Sequence, residues 1–251
     1  MRSLNLIIIG TAGAGKTALT HTFGRWLEEN TEQKVAYINL DPGCDSLPFR
    51  PSFDVRDHFT IERIMRNEGL GPNGAMVRAS ELLEEKANEF SKLINKINAD
   101  FRIIDTPGQM EVFLFHGGRE ITALLDGKTL SLFLFDARIA ARTMGLVFTT
   151  LLGLTIGLRL ETPTINIINK IDLLQDPAVI DKIAGDSETM EKQILEETSG
   201  LTTDLVLKLS RTLPELLPAS RLVKVSAKTG YGMRELYDIL YEVFCTCGDL
   251  T

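Results

Sequence analysis

Eight residues near the N-terminus, Gly10-Thr11-Ala12-Gly13-Ala14-Gly15-Lys16-Thr17, combine the types needed to hold a polyphosphate. The glycines let the backbone wrap so that successive N–H groups converge on phosphate oxygens. A helix expected over Gly15–Asn30 adds its positive end. Ala12, Gly13, Ala14, Gly15 and Ala18 line this cradle. Lys16 can reach the β- and γ-phosphates, and the Thr17 hydroxyl can ligate Mg²⁺. The loop alone specifies a nucleoside triphosphate and leaves the base open.

Three further motifs narrow the chemistry. In Asn169-Lys170-Ile171-Asp172, the Asp172 carboxylate can accept the N1–H and the exocyclic amine of guanine. Adenine lacks that donor pair and would leave the carboxylate unpaired, a difference that can discriminate by about 10⁴-fold. The Lys170 stem can lie over the base, and Asn169 can tie this loop back to the phosphate loop. In Ser226-Ala227-Lys228, the Ala227 N–H can donate to the guanine O6. In Asp105-Thr106-Pro107-Gly108-Gln109, Asp105 can hold Mg²⁺, the Gly108 N–H can sense the γ-phosphate, and Gln109 can orient an attacking water. Asp41, before Pro42, can polarise that water or hold a metal-bound one. The expected ligands are therefore GTP or GDP with Mg²⁺.

Such residues need a scaffold that brings them together. Six runs rich in Ile, Val, Leu and Phe alternate with helical stretches: Leu4–Gly10, Val35–Asp41, Phe101–Asp105, Leu130–Asp136, Thr164–Asn169 and Arg221–Val225. Their near-continuous apolar character predicts strands covered on both faces, and the long connections predict a mostly or wholly parallel sheet. Four runs end in or lead into a polar motif, at Gly10, Asp41, Asp105 and Asn169, and open α/β sheets bind ligands at the carboxyl ends of their strands. The fold class is α/β, a three-layer P-loop NTPase fold with a six-stranded core sheet. A single domain over 1–251 is expected, with helical insertions at about 56–100 and about 177–217. In the first insertion, Leu82, Leu83, Ala87, Phe90, Leu93, Ile94 and Ile97 fall on one helical face beyond a Gly69–Gly74 break. Met233–Phe244 reads as the closing helix.

Composition sets bounds. The 251 residues are 44% hydrophobic and 24% charged, with a net charge of −7. That charge disfavours direct nucleic-acid binding, which uses a basic face. Apolar runs such as Leu4–Ile9 and Leu130–Phe135 are short of the ~20 residues that span a bilayer. Three cysteines make no disulfide framework, so a soluble, cytoplasmic protein with no membrane partner is expected. Cys245-x-Cys247 lacks a second ligand pair, His21, His58 and His116 read as structural, and the acidic stretch Asp176–Glu197 reads as a solvated surface.

The ordered motifs resemble P-loop GTPases. Gly71-Pro72-Asn73 between two helices, with Leu40-Asp41-Pro42-Gly43 and Asp54-Val55-Arg56-Asp57 upstream, resembles the GPN-loop GTPases, close to archaeal members and within the dimerising class of P-loop NTPases. The resemblance covers essentially the whole chain. It implies a homodimer in which Gly71, Pro72 and Asn73 of one subunit enter the other's active site, Asn73 meeting the γ-phosphate region. Lys16, Asp41, Asn73 and Gln109 would then form the catalytic set. Members of that class often carry an extra lysine early in the phosphate loop, where this chain has Thr11-Ala12. A neutral amide stabilises less charge, so slow turnover of the isolated protein is expected. The resemblance also suggests a second role, a GTP-gated assembly module for a large complex such as RNA polymerase, with hydrolysis as a reset.

Overall fold

The computed structural model describes residues 3–185, 187–216 and 222–248. They fall into two compact units, Met1–Leu134 with Ile156–Thr164, and Phe135–Thr155 with Ile165–Thr251.

In the first unit the order is β1 (Leu4–Gly10), α1 (Lys16–Asn30), β2 (Val35–Asn39), β3 (Phe53–Asp54), α2 (Ile61–Glu68), α3 (Pro72–Glu85), α4 (Ala87–Asn95), β4 (Phe101–Asp105), α5 (Met110–Phe115), α6 (Gly118–Leu124) and β5 (Lys128–Asp136). The last two residues of β5 belong to the second unit. Strands lie side by side as β3-β2-β4-β1-β5, with every pairing parallel. Leu6 to Ile9 and all of β4 are buried, as expected where helices cover both faces. Helix α1 buries Leu19, Phe23 and Leu27, one stripe at i, i+4 and i+8, each contributing about 1.5–3 kcal/mol.

Register positions the chemistry. Asp105 at the end of β4 lies opposite Ile8 of β1 and Asn39 of β2, so three strand ends deliver their loops to one edge. Gly10 pairs with Leu134 at the end of β5, and a β-carbon on Gly10 would sit 2.3 Å from the Leu134 carbonyl oxygen. Only glycine permits that approach.

The second unit holds α7 (Ala137–Ala140), α8 (Thr143–Leu160), β6 (Thr164–Asn169), α9 (Ala178–Gly185), α10 (Ser187–Glu197), α11 (Leu201–Leu216), β7 (Val223–Lys224) and α12 (Met233–Gly248). The last turn of α8 and the first residue of β6 fall in the first unit. Ile167 and Ile168 of β6 pair in parallel with Val223 and Lys224. Helix α12 buries Met233, Leu236, Ile239 and Leu240, the stripe expected of a closing helix.

Three expectations need correction. Seven strands occur among the described residues; the addition is β3, two residues that lengthen the sheet beyond β2. The long helix of the first insertion breaks at Lys86, whose φ/ψ of −98°/7° is not helical, and Leu93 turns outward at 38% exposure. Helix α8 is an 18-residue apolar segment, long and apolar enough by composition to cross a membrane. Leu146, Thr149, Ile156 and Leu160 are buried along one face, while Val147 packs on another side against Ile194 and Val206. Arg221 and Leu217, at the ends of an expected strand and insertion, and the side chains of Cys245 and Cys247 lie outside the described residues.

Candidate functional site

The phosphate loop begins where β1 ends. Gly13 and Gly15 take left-handed φ of 73° and 95°, and Gly15 is the N-cap of α1 with no side-chain cap. The first amides of α1 therefore face outward, ready for an anion. Ala14 N–H closes the turn on the Thr11 carbonyl at 3.0 Å. Lys16 is buried, and its Nζ donates to the Gly10 carbonyl at 3.1 Å and the Gly108 carbonyl at 3.2 Å. Burial lowers its pKa, opposed by the carboxylates of Asp105, Asp41 and Glu111.

Beside it, Thr17 Oγ1 donates to Asp105 Oδ2 at 2.6 Å. Burial pushes the Asp105 carboxyl up to about 7, against the Thr17 hydrogen bond that lowers it. Its Oδ1 is buried with no hydrogen-bond partner. Thr106 anchors this turn through Oγ1 to the Ile8 carbonyl at 2.7 Å, a bond of about 1 kcal/mol.

Asp41 sits in the same place. Its Oδ1 accepts from Gly43 N–H at 2.9 Å, and the nearby Gly108 N–H also favours its charged form. Burial raises its pKa, opposed by these amides and by Lys16. A cavity of about 760 Å³ runs from Ala12 and Gly108 past Asp41 and Gln109 to Met76 and Leu83 of α3. Gln109 is exposed at the N-cap of α5. Lys16, Thr17, Asp41, Asp105, Gly108 and Gln109 thus lie together, all in the first unit.

Gly71, Pro72 and Asn73 behave differently. They are exposed at the start of α3, where α2 has ended on Gly69 with φ 65°. Pro72 occupies the first turn of α3, where its missing N–H costs nothing. Asn73 of the same chain is absent from the cavity lining.

The base-reading residues gather in the second unit. Ser226 Oγ donates to Asp172 Oδ1 at 2.5 Å, orienting the carboxylate. Asn169 is buried and its Oδ1 accepts the Ala227 N–H at 3.0 Å, so the amide expected to meet the guanine O6 has an acceptor within the protein. Lys170 has a left-handed φ of 65°, and its Nζ donates to Asp136 Oδ2 at 3.0 Å. Asp136 in turn receives Arg138 Nε and Nη2 at 2.9 and 2.7 Å, which hold its carboxyl well below the usual range.

Asp136 was not singled out by motif. The available signal was its position as one more strand ending in a carboxylate. His58, expected to be structural, packs on Phe53 and Phe90 with centroids 5.8 and 4.7 Å away. No group of three or more His, Cys, Asp or Glu arranged for a metal occurs among the described residues.

Comparison with known proteins places the chain in a family. A family model described as "Conserved hypothetical ATP binding protein" matches residues 8–246. The GPN-loop GTPase PAB0955 of Pyrococcus abyssi is 41% identical, covering 98% of this chain and 99% of that protein. The GPN-loop GTPase 1 of Dictyostelium discoideum is 29% identical over 94% of this chain and 60% of its own length. The crystal structure of PAB0955 in apo form matches with a TM-score of 0.88 at 39% identity, over 97% of this chain and 98% of that one.

Proposed function

The chain belongs to the GPN-loop GTPases, which bind and hydrolyse GTP, and from that premise we propose a Mg²⁺-dependent homodimer whose Gly71-Pro72-Asn73 loops act in trans. The observation that carries the metal is the Thr17–Asp105 pair. A hydroxyl and a carboxylate 2.6 Å apart, with a second carboxylate oxygen buried and unpartnered, are the hard oxygen donors Mg²⁺ prefers. Bound there, the ion would neutralise charge on the β- and γ-phosphates.

The protein's own groups do the rest. Lys16 exchanges its carbonyl partners for phosphate oxygens. The Gly108 amide lies near Asp41 in this structure, and a γ-phosphate oxygen arriving there displaces that carboxylate. Asp41 is then released to hold the attacking water, with Gln109 beside it. Asp172, oriented by Ser226, reads guanine, and this argues for GTP where the family model's description speaks of ATP. The trans assignment draws support from an exposed Asn73 and from the open cavity beside Asp41, to which Asn73 of the same chain does not contribute.

The test is turnover of GTP and ATP with and without Mg²⁺. GTP alone is hydrolysed, slowly, and chelation stops it. Asp172→Asn moves preference to xanthosine triphosphate, whose 2-oxo group accepts from the new amide, with GTP affinity falling at least about 100-fold. Equal use of ATP and GTP by the native chain would overturn the base assignment.

A second reading, a GTP-gated assembly module for a large complex such as RNA polymerase, is favoured by Leu195, Leu201 and Leu205, exposed at 60%, 84% and 57% on α10 and α11. Such side chains suit a protein partner. Partner pull-down that depends on GTP but survives loss of hydrolysis would select it. Either role is consistent with a cytoplasmic protein, which we take this one to be.

A further inference from the structure

Asp54-Val55-Arg56-Asp57 has no task in the hydrolytic reading, yet its side chains reach the hydrolytic loop. Arg56 grips Asp54 through Nε, 3.0 and 3.1 Å from the two carboxylate oxygens, and through Nη2 at 2.6 Å from Oδ2. Its Nη1 reaches out of that pair to the carbonyl oxygens of Cys44 at 3.1 Å and Asp45 at 3.4 Å. Asn39 approaches the same loop from its other end. Its Nδ2 donates to Asp54 Oδ1 at 2.9 Å and to the Asp41 carbonyl at 3.2 Å, while its Oδ1 accepts the Asp41 N–H at 3.0 Å. Asp54 is the common anchor.

The segment so held, from Asp41 to Asp45, contains no helix or strand, and irregular loops open at low free-energy cost unless tied down. Asp41 is its chemically active member. We infer that Arg56, braced by Asp54, is a positioning residue that fixes the Asp41 carboxylate for hydrolysis. The inference rests on the reading of Asp41 as the group acting on water. Arg56 makes no hydrogen bond to Asp41; it holds backbone carbonyls three and four residues beyond it, and its charge also favours the ionised Asp41 carboxylate across the cavity both line. The device requires a guanidinium: its planar fork binds a carboxylate on one side and carbonyls on another at once, where an ammonium offers a single point charge.

A double-mutant cycle tests this. Arg56→Lys, Asp41→Asn and the pair are compared by single-turnover GTP hydrolysis with Mg²⁺, and by fluorescent GDP affinity. Arg56→Lys should slow hydrolysis by about 10-fold or more, since small misplacements near the reacting atoms cost that much. GDP affinity should stay within about twofold. In the Asp41→Asn background the Arg56 substitution should cost almost nothing further. Multiplying effects in the double variant, or hydrolysis and GDP affinity falling in step, would overturn the inference and leave the role of Asp41 standing. Undiminished hydrolysis by Asp41→Asn alone would remove that role, and the inference with it. Should Arg56→Lys fail to fold, Asp54→Asn replaces it in the same cycle, because it removes the charge that braces the fork.

Discussion

Asp105 is the residue at which binding chemistry and stability meet. Its ordinary value is 3.8, and burial in the folded chain moves it to about 7. Between those values the folded state holds a proton that the unfolded state has released, so stability falls as pH rises from about 4 to about 7 and levels off above. Asp41, also raised by burial, contributes in the same sense. Calorimetry of the protein free of nucleotide and Mg²⁺ should show a melting temperature that declines across this window. In Asp105→Asn the Asp105 component of that slope should vanish, and an unchanged slope would mean that another group carries it. The direction matters for ligation, because a cation entering beside Thr17 has to displace that proton and should bind more weakly below pH 7.

Among the elements, β1 and β5 are the pair whose spacing the site depends on. Gly10→Ala would place a methyl 2.3 Å from the Leu134 carbonyl oxygen, and since both atoms belong to backbone, the strands themselves must part. We expect a loss of about 1–3 kcal/mol in denaturant unfolding, together with weakened nucleotide binding. The strands that make this frame were legible because buried parallel strands are continuously apolar, as in Leu6–Ile9, and sit between turn residues and helical stretches. Motif residues at their ends followed from the strand-end rule, and Lys16, Thr17, Asp41, Asp105 and Gly108 do converge. What escaped was short or relational. Phe53–Asp54 has too few residues for a period to exist, and the break at Lys86 interrupts a stripe that Leu83, Ala87, Phe90 and Ile94 continue on both sides. The ties of Arg56 to Cys44 and of Lys170 to Asp136 span 12 and 34 residues, and nothing local announces either.

At the scale of the whole molecule, the trans reading makes a prediction that no cis arrangement shares. Lys16→Ala should disable its own site and keep a sound Gly71–Asn73 loop, whereas Asn73→Ala should do the reverse. Each should be inactive alone. Mixed one to one, random pairing should restore about a quarter of native GTP hydrolysis, and mixtures that stay inactive would return the loop to an interhelical turn. The feature behind this is small: Asn73 stands in solvent at the tip of a helical hairpin. A loop that serves only a neighbour makes hydrolysis a measure of abundance. Dilution would leave each chain loaded and idle, and crowding would set the clock running, so a cell could adjust the lifetime of the GTP-bound form by how much of the protein it gathers in one place.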